Sequence, residues 1–262
     1  MSDLLAVSGE ASILKFARKI NADSKVPWRD LAGRTPLGSQ QNAGAWNQPL
    51  ARGTERCYRP RCFIFSQGAP VSEVFLLRSG IVKLACTLPG GQTSRCALKT
   101  PGEWLEPSAP ILAHSYRAGA MAITECRVIS IETAVFLGIL EKNNTAARLY
   151  IENQSADLQN AADALAEMRI LSAGQRFQKL IGKMVRALHP FQCSGSVRLR
   201  LALTEEELAE LIGVTPSYFS RTKRLFQDEG GLRWQSSKVI HISDIKAFSA
   251  GVEKINALLS DC

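Results

Sequence analysis

The sequence predicts an α+β protein in three parts: a roll of short strands, one long helix, and a C-terminal winged helix-turn-helix. Three observations carry that expectation. Short apolar runs alternate with turn signals from Arg61 to about Leu140. A heptad pattern without Pro or Gly runs from Thr145 to Arg169. Two short capped helices and a hairpin follow between Leu203 and Ile242. The changes of texture divide the chain into an irregular extension (1–50), a strand-rich domain (51–143), the long helix (144–171) and a helix-turn-helix domain (172–262).

Composition sets the bounds. At 262 residues the chain suits one large domain or two small ones. A hydrophobic share of 45% with 21% charged residues excludes wholesale disorder and a coiled-coil rod. Lys and Arg number 32 against 24 acidic residues, a net charge of +8 that favours a polyanionic partner. No apolar run approaches the ~20 residues that span a bilayer. Met1 to Ser8 lacks a basic segment leading into an apolar one, so a cytoplasmic protein with no membrane partner is expected. Seven scattered cysteines fit a reducing compartment. Cys57 and Cys62 have no second pair or histidine nearby to complete a metal site, so the cysteines are expected to be small buried hydrophobes. No metal or cofactor is expected.

Each element has a local reason. Ala11 to Ile20 has helical spacing, whereas Val26 to Arg52 is dense in turn formers and reads as irregular chain, in part packed through Trp28 and Trp46. About eight strands follow, among them Cys62–Phe65, Val74–Leu77, Ile81–Cys86, Thr93–Leu98, Met121–Thr124 and Arg127–Ile131, with a hairpin turn at Pro89-Gly90-Gly91. In the long helix, Ile151, Leu158 and Leu165 stand seven apart, with Ala161 on the companion position. So narrow a stripe is the seam of two helices, and it predicts a homodimer. A helix packed on its own roll would present a broader apolar face. Ser172-Ala173-Gly174 breaks the helix and another starts near Gln175.

The most specific signal is the helix-turn-helix. Thr204 and Glu207 form a capping box, Leu208, Ala209, Leu211 and Ile212 supply a helix face, and Gly213 ends it. Thr215 caps the second helix, which opens on Pro216. Ser217, Ser220, Arg221 and Arg224 then share one outward face, beside Tyr218 and Lys223. Leu232–Trp234 and Val239–Ile242 form a wing, and Ser243 caps a last helix. Double-stranded DNA is the partner this arrangement fits.

The whole arrangement resembles the CRP/FNR family of bacterial transcription regulators over roughly residues 55 to 245. The likeness rests on Phe63 to Pro70, Val74 to Leu84, Pro101-Gly102-Glu103-Trp104 and the recognition-helix run Thr215 to Arg221. It implies a cyclic-nucleotide-binding-type β-roll, a dimerisation helix and RNA polymerase as a partner. The FNR-type recognition pattern is Glu-x-x-Ser-Arg; this chain has Ser217-x-x-Ser220-Arg221, keeping the Ser-Arg end. The likeness implies that Arg221 contacts guanine, with Ser220 on a base or phosphate and Lys223 and Arg224 as phosphate clamps. An effector pocket would draw on Glu103, Glu106 and Arg117. In cyclic-AMP-binding relatives a glutamate takes the ribose and an Arg-Ser or Arg-Thr pair takes the phosphate. Here those positions hold Pro107 and Arg117-Ala118, and Ala161-Ala162 stand where the base would meet hydroxyls. A cAMP-independent regulator is expected.

Other chemistries fit less well. The cysteine spacing does not match the family's iron–sulfur pattern, and His114 does not match its haem position. A cupin-type metal enzyme needs clustered histidines, and His114, His189 and His241 are far apart in the chain, so no enzyme is expected. The competing reading is a cyclic-nucleotide-domain-type regulatory module that acts on a protein partner.

Overall fold

Turn chemistry and side-chain alternation build the N-terminal half. The computed structural model describes residues 53–251 except 92, 113–114, 193 and 229–230, with backbone alone for 93–96 and 225–228. The expected helix at 11–20, Trp28, Trp46 and His114 lie outside the described residues. Eight strands form the roll: β1 (Thr54–Tyr58), β2 (Phe63–Phe65), β3 (Glu73–Ser79), β4 (Val82–Thr87), β5 (Thr93–Lys99), β6 (Trp104–Leu105), β7 (Gly119–Ala122) and β8 (Cys126–Glu132). They make two four-stranded sheets ordered β1-β8-β3-β6 and β2-β7-β4-β5. Every neighbouring pair is antiparallel.

β3 shows how the layers are set. Phe75 and Leu77 point into the roll beside Val82, Leu84, Ala120 and Val128. Val74 and Leu76 point the other way, onto Trp104, Phe136, Leu149 and Tyr150. A strand buried on both faces reads as a continuous apolar run, which Val74-Phe75-Leu76-Leu77 is. Gly80, at φ +90°, lets β3 turn into β4; a Cβ there would sit 2.3 Å from the Glu125 carbonyl oxygen.

The helices follow: α1 (Ala109–Leu112), α2 (Thr133–Lys142), α3 (Asn144–Ile170), α4 (Ala173–Leu188), α5 (Glu205–Ile212) and α6 (Pro216–Asp228). α3 matches the expected long helix within a residue at each end. The strand texture read as far as Leu140 gives way earlier, because Phe136 is drawn into the packing of Trp104 and Tyr150 and α2 winds from Thr133. Tertiary burial outweighs local β propensity there. The wing has a third strand that was not anticipated: β9 (Val197–Arg200) pairs β11 (Val239–Ile242), which pairs β10 (Leu232–Ser236). The last helix, 245–251, is capped by Asp244, whose Oδ1 accepts from the Lys246 and Ala247 amides at 2.8 and 3.4 Å, one residue after the serine expected. The cysteine expectation needs a correction: Cys126 is buried, but Cys57 and Cys62 are exposed. Cys57 falls on β1, the edge strand of its sheet, which is exposed along most of its length.

The two halves share a core. Ile81, Leu98, Met121 and Ile123 of the roll pack with Phe177, Leu208, Ile212 and Phe219 of the C-terminal half. The Ala202 amide donates to the Ile123 carbonyl at 2.9 Å, a backbone bond between the halves.

Candidate nucleic-acid interface

The helix-turn-helix forms where its caps place it. Thr204 Oγ1 accepts from the Glu207 amide at 3.2 Å, and the Glu207 carboxylate accepts from the Thr204 amide at 2.9 Å, closing the capping box. Gly213 ends α5 in the left-handed region at φ +67°. Thr215 Oγ1 accepts from the Tyr218 amide at 3.3 Å, capping α6. Arg176 on α4 clamps the turn from behind, donating to the Ile212 carbonyl at 2.8 Å and the Leu171 carbonyl at 2.7 Å.

Phe219 fixes the angle of α6. It is fully buried, edge-on to Phe177 at 5.3 Å and to Trp234 of the wing at 6.5 Å. With that face anchored, the other face meets solvent: Thr215, Ser217, Tyr218, Arg221 and Arg224 are exposed and Ser220 is half-buried. Neither Arg221 nor Arg224 bonds or pairs with another described residue through its side chain.

Lys223 is placed differently. Its ammonium lies 2.5 Å from Glu205 Oε1 and 4.8 Å from the Trp234 ring centroid. The geometry thus separates Lys223 from the Arg221–Arg224 face. These contacts are invisible in the sequence, because they depend on how α5 and the wing pack around α6.

In the long helix, Ile151, Leu158 and Leu165 are 63%, 73% and 67% exposed, and Ala161 lies with them on the outer surface. The inner face near its N-terminus, Ala146, Leu149, Tyr150 and Asn153, is buried against the roll.

The three residues of the expected effector pocket have different surroundings. Glu103 faces Lys99 at 3.8 Å and Lys183 at 3.7 Å, and Thr100 donates to it. Burial alone would raise its carboxyl, but Lys183, Lys99 and Thr100 together hold it below the usual value. Glu106 is buried in the left-handed region at φ +47°, and its carboxylate accepts from the Ala118 amide at 3.1 Å. Arg117 is exposed. The Pro107 carbonyl is taken by the Tyr150 hydroxyl. Burial pushes that phenol up to about 12.

Sequence reasoning did not find the ion pairs that join the halves. Glu207 accepts from Arg61 at 2.7 Å and pairs with Lys83 at 3.2 Å; Lys83 also reaches Glu210 at 3.2 Å, and Lys99 holds Asp157 of α3 at 2.8 Å. Partners 58 to 146 residues apart leave no local pattern to read. Among the described residues no group of three or more His, Cys, Asp or Glu side chains could hold a metal ion, and no helix is long and apolar enough to cross a membrane.

This fold, a β-roll joined by a long helix to a winged helix-turn-helix, defines a DNA-binding transcription regulator. Residues 55–143 match the cyclic nucleotide-binding domain family and residues 175–250 match the Crp-like helix-turn-helix domain. The chain is 22% identical over 220 residues to the nitrogen fixation regulation protein FixK of Azorhizobium caulinodans, covering 84% of this chain and 87% of FixK. It is 21% identical over 181 residues to the CRP-like cAMP-activated global transcriptional regulator of Mycobacterium tuberculosis, covering 69% of this chain and 80% of that one. The fold is similar to that of FixK2 from Bradyrhizobium japonicum, with a TM-score of 0.61 at 20% identity over 76% of this chain and 96% of the other. The chain belongs to the CRP/FNR family of transcription regulators.

Proposed function

We propose that the protein is a homodimeric regulator that reads an inverted repeat in DNA through Arg221 and acts without cyclic AMP. The observation that carries the reading is the face of α6: Arg221 and Arg224 stand exposed beside Ser217 and Ser220, with no protein partner among the described residues. A guanidinium in that position reaches O6 and N7 of one guanine together. Arg224, one turn further on, suits a phosphate, as does Thr215 at the helix N-terminus. Ser217 and Tyr218 flank the reading residue.

Exposure of Ile151, Leu158 and Leu165 along one stripe supports the dimer, since three large apolar side chains in solvent gain by burial in a helix seam. Two-fold symmetry then places two recognition helices one DNA turn apart, about 10–11 base pairs centre to centre. RNA polymerase is the partner that this reading implies, and the bacterial cytoplasm the location.

The pocket segment supports independence from cyclic AMP. The Ala118 amide is already bonded to the Glu106 carboxylate. A cyclic phosphate there would have to displace that carboxylate and would meet its charge. Pro107 offers no side-chain acceptor for a ribose hydroxyl. Genome-wide immunoprecipitation of bound DNA, followed by shift assays on the recovered site, tests the reading. An inverted repeat with a symmetric G·C pair is the result expected; recovery of random DNA would overturn it.

A further inference from the structure

Among the described residues, Arg61 and Glu106 alone combine a side chain with a positive φ, at +72° and +47°. An L-residue avoids that region, so its surroundings must hold it there. At Arg61 the guanidinium donates to the Ala202 carbonyl at 3.1 Å and to Glu207 at 2.7 Å. At Glu106 the carboxylate accepts from the Ala118 amide at 3.1 Å, and the residue is only 3% exposed. Leu105, Ala109 and Ala118 around it all belong to the apolar core of the roll. A glycine would take this backbone without strain, and an apolar side chain would enter the core without desolvation of a charge. Glutamate does neither. What it supplies is an anion on a backbone amide.

The contact has reach. It joins the end of β6 to the start of β7 and closes the segment between them, which carries α1. The Glu106 carbonyl accepts from the Ala109 amide at 3.0 Å and so starts that helix. The next carbonyl, that of Pro107, takes the Tyr150 hydroxyl of α3, and Gln154 donates to the same hydroxyl at 2.8 Å. Glu106 therefore fixes the segment to which α3 is tied, and α3 bears the Ile151, Leu158 and Leu165 stripe.

We propose that Glu106 is a tethered anionic effector: its carboxylate fills the Ala118 amide as a small free carboxylate would, and holds the 106–118 segment and α3 in one arrangement without an added molecule. The proposal rests on the cyclic-AMP-independent reading and deepens it, since Glu106 acts here as a ligand and not only as an obstacle to one. Tethering spares the carboxylate the association entropy that a free anion loses.

The test compares the full chain with E106G and E106Q by melting, in sodium acetate and in sodium chloride of equal ionic strength. Affinity for the recovered DNA site is then measured in the same salts. Glycine keeps the backbone and leaves the Ala118 amide to a free anion. E106G is expected to melt below the parent in chloride. In acetate at about a tenfold excess over Kd it should rise by about 3–6 °C more than the parent does, and the rise should level off at saturation. Its affinity for the site, relative to the parent in the same salt, should fall in chloride and recover in acetate. E106Q keeps an acceptor of the same shape without the charge, and it should melt and bind below the parent. An E106G that ignores acetate would overturn the proposal, wherever it melts in chloride. If E106G folds in neither salt, E106Q decides: a loss supports the built-in anion, and equality with the parent would overturn it. A rise of the parent with cyclic AMP would overturn the reading on which the proposal rests. A parent that binds no specific DNA would sink the α6 reading and leave the melting comparison to decide this one.

Discussion

Arg61 of the β-roll donates to Glu207 at 2.7 Å, and Glu207 is the residue that closes the capping box of α5. One carboxylate therefore caps the start of a helix and joins the two halves of the protein. Lys83, 5% exposed, shares that carboxylate. The contact places the helix-turn-helix relative to the β-roll.

Glu207→Ala should destabilise the protein by about 2–4 kcal/mol, with about 1 from the cap and the rest from a buried lysine left with fewer partners. Arg61→Ala should cost under about 1 kcal/mol, because its side chain is 49% exposed. Urea unfolding of both variants checks this. Equal losses would place the main contribution in the exposed pair.

Stability should fall in acid. Burial alone would raise the Glu207 carboxyl, but the Thr204 amide, Lys83 and Arg61 outweigh it and hold it low; Glu103 is likewise held low. Both titrate lower folded than unfolded, so their contribution is whole above the unfolded value of about 4.3 and is lost as pH falls through the folded values. Unfolding of E103Q should depend less on pH between about 3 and 5 than that of the parent. An unchanged pH profile would remove Glu103 from the account.

Leu158→Lys should yield monomers. The side chain is 73% exposed in the single chain, and two lysines would face each other across the seam. Light scattering that finds the parent chain monomeric at micromolar concentration would contradict the dimer.

Cyclic AMP should leave the melting temperature unchanged. A ligand that binds only the folded state at a hundredfold excess over Kd adds about 2.7 kcal/mol, a shift any melting assay would show. A clear rise at millimolar cyclic AMP would mean that the Glu106 carboxylate yields its place on the Ala118 amide.

Legibility in the sequence followed the range of the interaction. The caps at Thr204, Gly213 and Thr215 and the span of α3 are local, and the sequence alone located them. The outward placement of Arg221 followed from helical spacing once Phe219 was assigned to the core. What escaped depends on distant chain. β9 was missed because Val197-Arg198-Leu199-Arg200 becomes a strand only beside β11. The approach of Lys183 of α4 to Glu103 was likewise not legible, because the two are far apart in the chain. Lys223 reads as a phosphate clamp, and its contacts with Glu205 of α5 and Trp234 of the wing leave no trace in the local sequence.

The most direct test of the account is the sequence preference of Arg221→Ala. Binding should be measured against every substitution at the symmetric G·C pair, at fixed salt, with Arg224→Ala in parallel. The account predicts that Arg221→Ala costs about 1–3 kcal/mol per half-site and levels the preference at that pair. Arg224→Ala should weaken all sequences alike and lower the salt slope by about one unit. If Arg221→Ala weakened every sequence equally and kept the preference intact, base reading would not belong to Arg221, and the central claim would fall.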